Sequence, residues 1–499
     1  MTNARRAFAG ACALACLACT PRSPEESRAG SSGAVVRTTR PNIVIVVVDD
    51  LRWDEFGAAG HPWLRTPNID RLAAEGALFV NAFHAVPLCS PNRATLLTGQ
   101  FPSQHGIIDN VARNRLSHRL VTFPQTLQAQ GYETAFLGKW HMGNDPTPRP
   151  GFDYWVGLPG QGRSVNPELF ENGALRVVPG YTTDLLTDRA VAFIQRPRER
   201  PFLVYLAHKA VHPDVEQRDD GSVGPSLGYI PAPRHRGAYD GRVLARRPNV
   251  VRTLGDLEGM PAIRRALAYN ATGDVSAHGG DIAAPTTDDV TIRRRAEMML
   301  AVDEGIGRII AALEAQGELD RTVFVFTSDN GFFFGEHGLT TERRLPYEES
   351  IRNPLIIRYP PVVRAGARPV ELALTIDLAP TMLELAGAAV GGHIQGRSLV
   401  PVLRGDAPNW RQSILVEFYT YENPFPHLMD MDYRALRTSR YKYIHWVRHP
   451  GLDELYDLET DPYEMRNLVH EPSAAATRLL LRAELGREVL GALRLGGER

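Results

Sequence analysis

The chain has 499 residues, 43% hydrophobic and 23% charged, with Lys+Arg 56 against Asp+Glu 57 and a formal net charge of −1. This is the make-up of a globular protein long enough for one large domain and one smaller one. The charge balance excludes the basic field that nucleic-acid binding needs, so any anion must be met by locally placed Arg, Lys and His.

The N-terminus reads as an export signal: Arg5-Arg6, an apolar run from Ala7 to Cys19, then Thr20-Pro21-Arg22-Ser23-Pro24. The run is too short to span a bilayer. Residues 1–19 are therefore expected to be a signal peptide, either cleaved or, with Cys19 acylated, a lipoprotein signal. Residues 20–40 are polar, with Pro, Ser and Gly, and read as a flexible linker. The expected destination is the periplasm or the cell surface, with a lipid anchor as the one contact with membrane. Cys12, Cys16 and Cys19 all lie in the leader, so the folded body keeps Cys89 alone and can form no internal disulfide.

Four apolar segments then end in polar clusters. Asn42 to Val48 is a continuous β-branched run of the kind buried in a parallel sheet, and it stops at Asp49-Asp50. Tyr132 to Gly138 runs into Lys139-Trp140-His141. Pro201 to Leu206 leads to His208 and His212, and Arg321 to Thr327 leads to Ser328-Asp329-Asn330-Gly331. Helices are expected at 69–76, 122–131, 183–195 and 291–316. The last carries Met298, Met299, Val302, Ile306, Ile309 and Ile310 on one stripe, which is core packing. Strands alternating with helices predict an α/β fold: a large mixed, mostly parallel sheet flanked by helices, with one site along the carboxyl ends of its strands. Asp49, Asp50, Asp329 and Asn330 offer oxygen ligands only. That favours Ca²⁺ or Mg²⁺, whereas a zinc pair would need more His in these clusters.

The segment Leu88-Cys89-Ser90-Pro91-Asn92-Arg93-Ala94-Thr95-Leu96-Leu97-Thr98-Gly99 resembles the signature of the type I sulfatases, and Gly138-Lys139-Trp140-His141 and the paired Asp and Asp-Asn-Gly clusters resemble further motifs of that family. The resemblance spans roughly Pro41 to Leu468. It implies the alkaline-phosphatase-like fold of that family and oxidation of Cys89 to formylglycine (3-oxoalanine) by a maturation enzyme. Of the two hydroxyls of the hydrated aldehyde, one attacks sulfur and the other later expels sulfate. It further implies one divalent metal, usually Ca²⁺, on Asp49, Asp50, Asp329, Asn330 and the modified Cys89. Arg93 would reach back toward the nucleophile from the next helical turn, with the helix N-terminus adding positive dipole. Lys139 would contact sulfate, His141 would support the nucleophile, and His212, with His208 close by, would bind sulfate or protonate the leaving oxygen. Arg343 stands where many relatives place a sulfate-binding Lys, and Arg keeps the charge but not the geometry. Arg344 is the neighbouring substitute.

The domain reading is a catalytic domain over 41–400, with a polar insertion at 214–289, and a C-terminal subdomain over 401–499 of short antiparallel strands and one helix. In the insertion, Arg234, His235, Arg236 and His278 are candidates for contacting a sulfated glycan. The expected function is hydrolysis of a sulfate ester, of a carbohydrate such as a 6-O-sulfated N-acetylglucosamine, with aryl sulfates as surrogate substrates. The alternatives are a phosphonate or phosphate ester hydrolase of the same superfamily, and a non-catalytic surface protein that binds glycans.

Overall fold

The structure is a computed structural model and describes residues 40–271, 287–340, 343–420 and 428–494. The export signal, nearly all of the linker, and His278 lie outside these residues. Nine strands build the main sheet: β1 (Asn42–Val48), β2 (Ala77–Leu78), β3 (Glu133–Lys139), β4 (Tyr154–Leu158), β5 (Glu168–Glu171), β6 (Ala174–Val177), β7 (Phe202–His208), β8 (Thr322–Ser328) and β9 (Ile356–Arg358). Their order is β2-β9-β8-β1-β7-β3-β4-β5-β6. The five central strands are parallel, and β9 and β5 join them antiparallel on either side.

Every residue of β1, β7 and β8 is buried, as the β-branched and aromatic runs require. In register, Val48 sits between Ser328 of β8 and His208 of β7, so three strands end on one line. This alignment delivers Asp49, Asp329 and the 209–213 loop to one edge. β3 follows beside β7 and delivers Lys139 there.

Helices cover both faces: α1 (Pro67–Glu75), α2 (Cys89–Thr98), α3 (Phe123–Ala129), α4 (Thr182–Ile194), α5 (Asp289–Ala315) and α6 (Leu378–Leu385). Strand alternation decides which face each residue serves. Val44, Val46 and Val48 pack with α1, α4 and α5, while Ile43, Ile45 and Val47 pack with α2, α3 and α6. The methionine stripe of α5 is core, and Asp288 caps that helix by accepting from Thr291 N at 2.7 Å.

Between Arg352 and Pro360 the chain is a strand only at 356–358, because Pro354 and Pro360 withdraw ladder donors on both sides. The polar stretch after Pro213 is also more ordered than its lack of periodicity suggests. It forms a hairpin of Asp214–Gln217 with Val223–Gly228 and a helix at Pro261–Ala271.

The C-terminal part is a four-stranded antiparallel meander, β10 (Ser413–Phe418), β11 (Tyr433–Thr438), β12 (Tyr441–Trp446) and β13 (Glu454–Asp457), backed by α7 (Ala475–Arg494). It shares a hydrophobic core with Phe333, Leu345 and Tyr347 of the main body. Lys442 of β12 bridges Glu348 at 2.9 Å and Glu464 at 2.6 Å, and the Tyr347 hydroxyl donates to Glu454 at 2.9 Å.

Candidate active site

Beyond the end of β1 the chain turns at Asp50, whose φ of 58° is uncommon for a residue with a side chain. Three contacts hold the turn. Asp50 N donates to Asp329 Oδ1 at 3.0 Å, Arg295 Nη2 donates to the Asp50 carbonyl at 2.6 Å, and Val211 N donates to the Asp49 carbonyl at 2.7 Å. Near the end of β3, Gly138 has φ 118° and a Cβ would lie 1.9 Å from the Ala207 carbonyl oxygen. Only glycine fits there. Past this glycine the Lys139 ammonium meets Asp49 Oδ2 in a buried ion pair.

Cys89 is the first residue of α2, fully buried, with its sulfur 4.0 Å from Asp50 Oδ1. Burial pushes its thiol up to about 12, so the unmodified cysteine stays protonated at neutral pH. One turn later, Arg93 donates from Nε to Asp329 Oδ2 at 2.9 Å and from Nη1 to the Lys139 carbonyl at 2.6 Å, with Nη2 2.7 Å from Asp329 Oδ2. Asn92 fixes the same helix by donating to the Asp329 carbonyl at 2.6 Å and accepting from Thr375 Oγ1 at 2.7 Å. Arg93 is thus an interior clamp between two strand ends.

The charges interlock. Burial opposes ionisation of Asp49, but Lys139 first and Arg93 after it hold it well below the usual carboxylate range. Burial pushes Asp329 up to about 7 in spite of Arg93, with Asp49 adding like charge. His212 donates from Nδ1 to the Pro213 carbonyl at 2.8 Å, which leaves Nε2 as an acceptor facing Arg343 Nη2 at 3.2 Å and Asp50 Oδ2 at 3.8 Å. Burial, then Lys139, lowers its pKa well below the ordinary histidine value, so the ring is neutral here. Arg343 also places Nε 3.1 Å from Asp50 Oδ1. The backbone carbonyl of the neighbouring Arg344 accepts the Tyr433 hydroxyl at 2.9 Å.

Three buried oxygens, Asp49 Oδ1, Asp50 Oδ2 and Asn330 Oδ1, have no hydrogen-bond donor among the described residues. Asp49, Asp50 and Cys89 can each offer a ligand atom within 4.8 Å of one another. Unpaired buried acceptors of this kind are costly unless a cation satisfies them, and an all-oxygen set matches a hard divalent ion. Both oxygens of Asp329 are already engaged, by Asp50 N–H and by Arg93.

Of the expected site residues, the structure brings together Asp49, Asp50, Cys89, Arg93, Lys139, His212, Asp329, Asn330 and Arg343, with His141 adjoining through the Ser90 Oγ to His141 carbonyl bond at 2.6 Å. It does not bring in His208. That residue is the last of β7 and shares the sheet face of Val48, Val204 and Leu206, under α4 and α5, whereas α2 packs on the other face. Both its ring nitrogens are buried without a hydrogen-bond partner among the described residues, and burial lowers its pKa to about 4. Arg234 is likewise spent on the protein, pairing with Asp184 at 2.7 Å and Glu304 at 2.7 Å, and His235 lies 3.1 Å from Glu304.

Sequence reasoning missed two residues that brace the site. Arg295 pairs with Glu55 and caps the Asp50 turn. Its place on the apolar stripe, three residues after Ile292 and four before Met299, is the signal that exposes it. Gln217 meets His141 Nε2 at 2.5 Å, and it comes from the polar stretch, where no sequence pattern marks it.

The sulfatase sequence profile matches residues 41–388, and that of the N-sulphoglucosamine sulphohydrolase C-terminal region matches 335–489. An N-acetylglucosamine-6-O-sulfatase of Bacteroides thetaiotaomicron is 34% identical over 488 residues, covering 86% of this chain and 83% of that protein. A solved structure described as in complex with its substrate D-glucosamine-2-N,6-O-disulfate matches with a TM-score of 0.78 at 32% identity, over 91% of this chain and 98% of that one. A phosphonate monoester hydrolase of Agrobacterium radiobacter shares the fold, with a TM-score of 0.71 at 24% identity over 91% of this chain and 96% of that one. The chain belongs to the sulfatase family. It is a sulfuric ester hydrolase, and its family implies a metal ion and a formylglycine.

Proposed function

We propose that this sulfatase removes sulfate from a carbohydrate, a 6-O-sulfated amino sugar being the first substrate to test, after export from the cytoplasm. The observation that carries the reading is the set of three oxygens, Asp49 Oδ1, Asp50 Oδ2 and Asn330 Oδ1, without a donor among the described residues, on chain segments that meet Cys89 at the start of α2. Names of relatives that act on N-acetylglucosamine 6-sulfate support the substrate class.

Asp49, Asp50, Asn330 and the residue at 89 would hold one Ca²⁺, with Asp329 completing the set from its place under Arg93. Bound there, the ion and a formylglycine at position 89 supply an acidified hydroxyl nucleophile and a pull on the sulfate oxygens. Lys139 and Arg343 meet the anion as charged donors, and the guanidinium suits two sulfate oxygens at once. His212 presents Nε2 as an acceptor, and an incoming sulfate supplies the negative charge that lets this nitrogen take up and hold a proton near the leaving oxygen. Arg93 and Asn92 keep Asp329 in place while charge moves. Burial of the whole cluster excludes water that would weaken each of these interactions.

Two measurements test the reading. Mass spectrometry of the peptide holding Cys89, from protein made with a formylglycine-generating maturase, is expected to show an aldehyde that hydrazides trap. Sulfate release from N-acetylglucosamine 6-sulfate is then compared with turnover of nitrophenyl sulfate and a nitrophenyl phosphonate ester. Faster phosphonate turnover would overturn the assignment to sulfate.

A further inference from the structure

We propose that Gln217 is a positioning residue that fixes the tautomer of His141, and so decides which ring nitrogen is free to act on the group at position 89. The inference rests on the proposed role of His141 beside the nucleophile.

The argument follows hydrogen-bond direction. Gln217 Nε2 donates to the Gly221 carbonyl at 3.0 Å. A carbonyl only accepts, so the amide can face only one way. Its Oε1 is therefore the atom that meets His141 Nε2 at 2.5 Å, and Gln161 Nε2 donates to the same oxygen at 2.7 Å. An amide oxygen also only accepts, so His141 Nε2 carries the proton and Nδ1 is left as a lone pair. His141 Nδ1 is buried and has no donor among the described residues. Burial first, then Lys139, lowers the His141 pKa well below its ordinary value, which keeps the ring neutral and the distinction between the two nitrogens meaningful.

Several features hold this arrangement. His141 has φ 66°, and its carbonyl is tied to Ser90, the residue after Cys89, so the backbone is anchored to α2 while the ring is anchored to the hairpin. The hairpin is itself held to the site, because Asp214 at its start accepts from Lys209 Nζ at 2.9 Å and from Ser164. Gln161 and Gln217 also line a cleft of about 610 Å³ together with Asn144, Asp214 and Phe170.

The test uses the full-length, matured enzyme labelled with ¹⁵N-histidine, with His141 assigned by its absence in His141→Ala. The parent is expected to show His141 with Nε2 protonated and Nδ1 unprotonated. Gln217→Met removes the acceptor. It is expected to mix the tautomers and to lower kcat about tenfold to a hundredfold with little change in KM. Gln217→Glu keeps an acceptor and is expected to restore both the tautomer and most of kcat. Gln161→Met leaves the acceptor on Gln217 and is expected to cost less than Gln217→Met. A parent enzyme with Nδ1 protonated, or a folded Gln217→Met protein with unchanged tautomer and kcat, overturns the proposal. Should His141→Ala keep full turnover, the role of His141 falls, and the tautomer in Gln217→Met still decides whether Gln217 sets it.

Discussion

At the scale of single residues, burial governs the chemistry. Cys89 is fully buried and its thiol is lifted to about 12, so the cysteine itself is a poor nucleophile at neutral pH. Cys89→Ala is expected to lose sulfate-ester hydrolysis completely while its thermal transition stays within a few degrees of the parent, and enzyme made without the maturase should be equally inactive. Parallel rate and calorimetric measurements check this, and residual turnover near the parental rate would refute the role of the residue. His208 makes the opposite case. Its two buried ring nitrogens have no hydrogen-bond partner among the described residues, so His208→Leu is expected to remove a desolvation cost without breaking a bond. That variant is expected to keep kcat/KM within about threefold and to be as stable as the parent or more so. A loss of activity beyond tenfold would restore His208 to the site.

At the scale of elements, strand ends and the turns after them do the positioning. β1, β7 and β8 stop in register, and the turn at Asp50 and the close approach of β3 to β7 at Gly138 then bring polar side chains into one volume. Gly138→Ala forces a Cβ onto the Ala207 carbonyl in a backbone conformation that alanine resists. It is expected to cost more than about 3 kcal/mol and to displace Lys139 from Asp49. Denaturant unfolding reads the first effect and steady-state kinetics the second; a variant of parental stability and activity would show that β3 can relax away from β7.

At the scale of the whole molecule, histidines buried against α2, bonded to its Asn92 and Thr95, set its response to its surroundings. Burial lowers His84 to about 3 and His105 to about 3 from an ordinary 6.5. For a base with a depressed folded pKa, the unfolded chain binds protons that the folded chain refuses. Stability is therefore complete above 6.5 and is lost as pH falls toward about 3. The expected slope is about 1.4 kcal/mol per pH unit for each such histidine. Urea unfolding at pH 7 and pH 5 measures it, and His105→Gln should flatten the difference. The metal site proposed across the ends of β1 and β8 would also couple occupancy to folding. Chelation is expected to abolish turnover and lower the melting temperature, and Ca²⁺ should restore both. An unchanged melting temperature after complete chelation would show that the acidic cluster is stable without an ion.

By itself the sequence determined the α/β class, the core strands, the helices between them and most of the cluster. Long β-branched runs cannot be exposed, and polar clusters at their ends have only one edge of a parallel sheet to occupy. Asp49, Asp50, Lys139, Asp329 and Asn330 were legible for that reason, and Cys89 and Arg93 through a motif carried on one helical turn. Tertiary structure alone decided three things. Strand alternation in a register set by neighbours put His208 on the wrong face, although it lies only four residues from His212. Long-range pairing spent Arg234 on Asp184 and Glu304. A hairpin from an aperiodic stretch brought Gln217 to His141, 76 positions away in the chain. Periodicity reports which side of an element is apolar. It carries no information about which distant polar group will satisfy a buried nitrogen, because that depends on directions and distances fixed only when the elements pack.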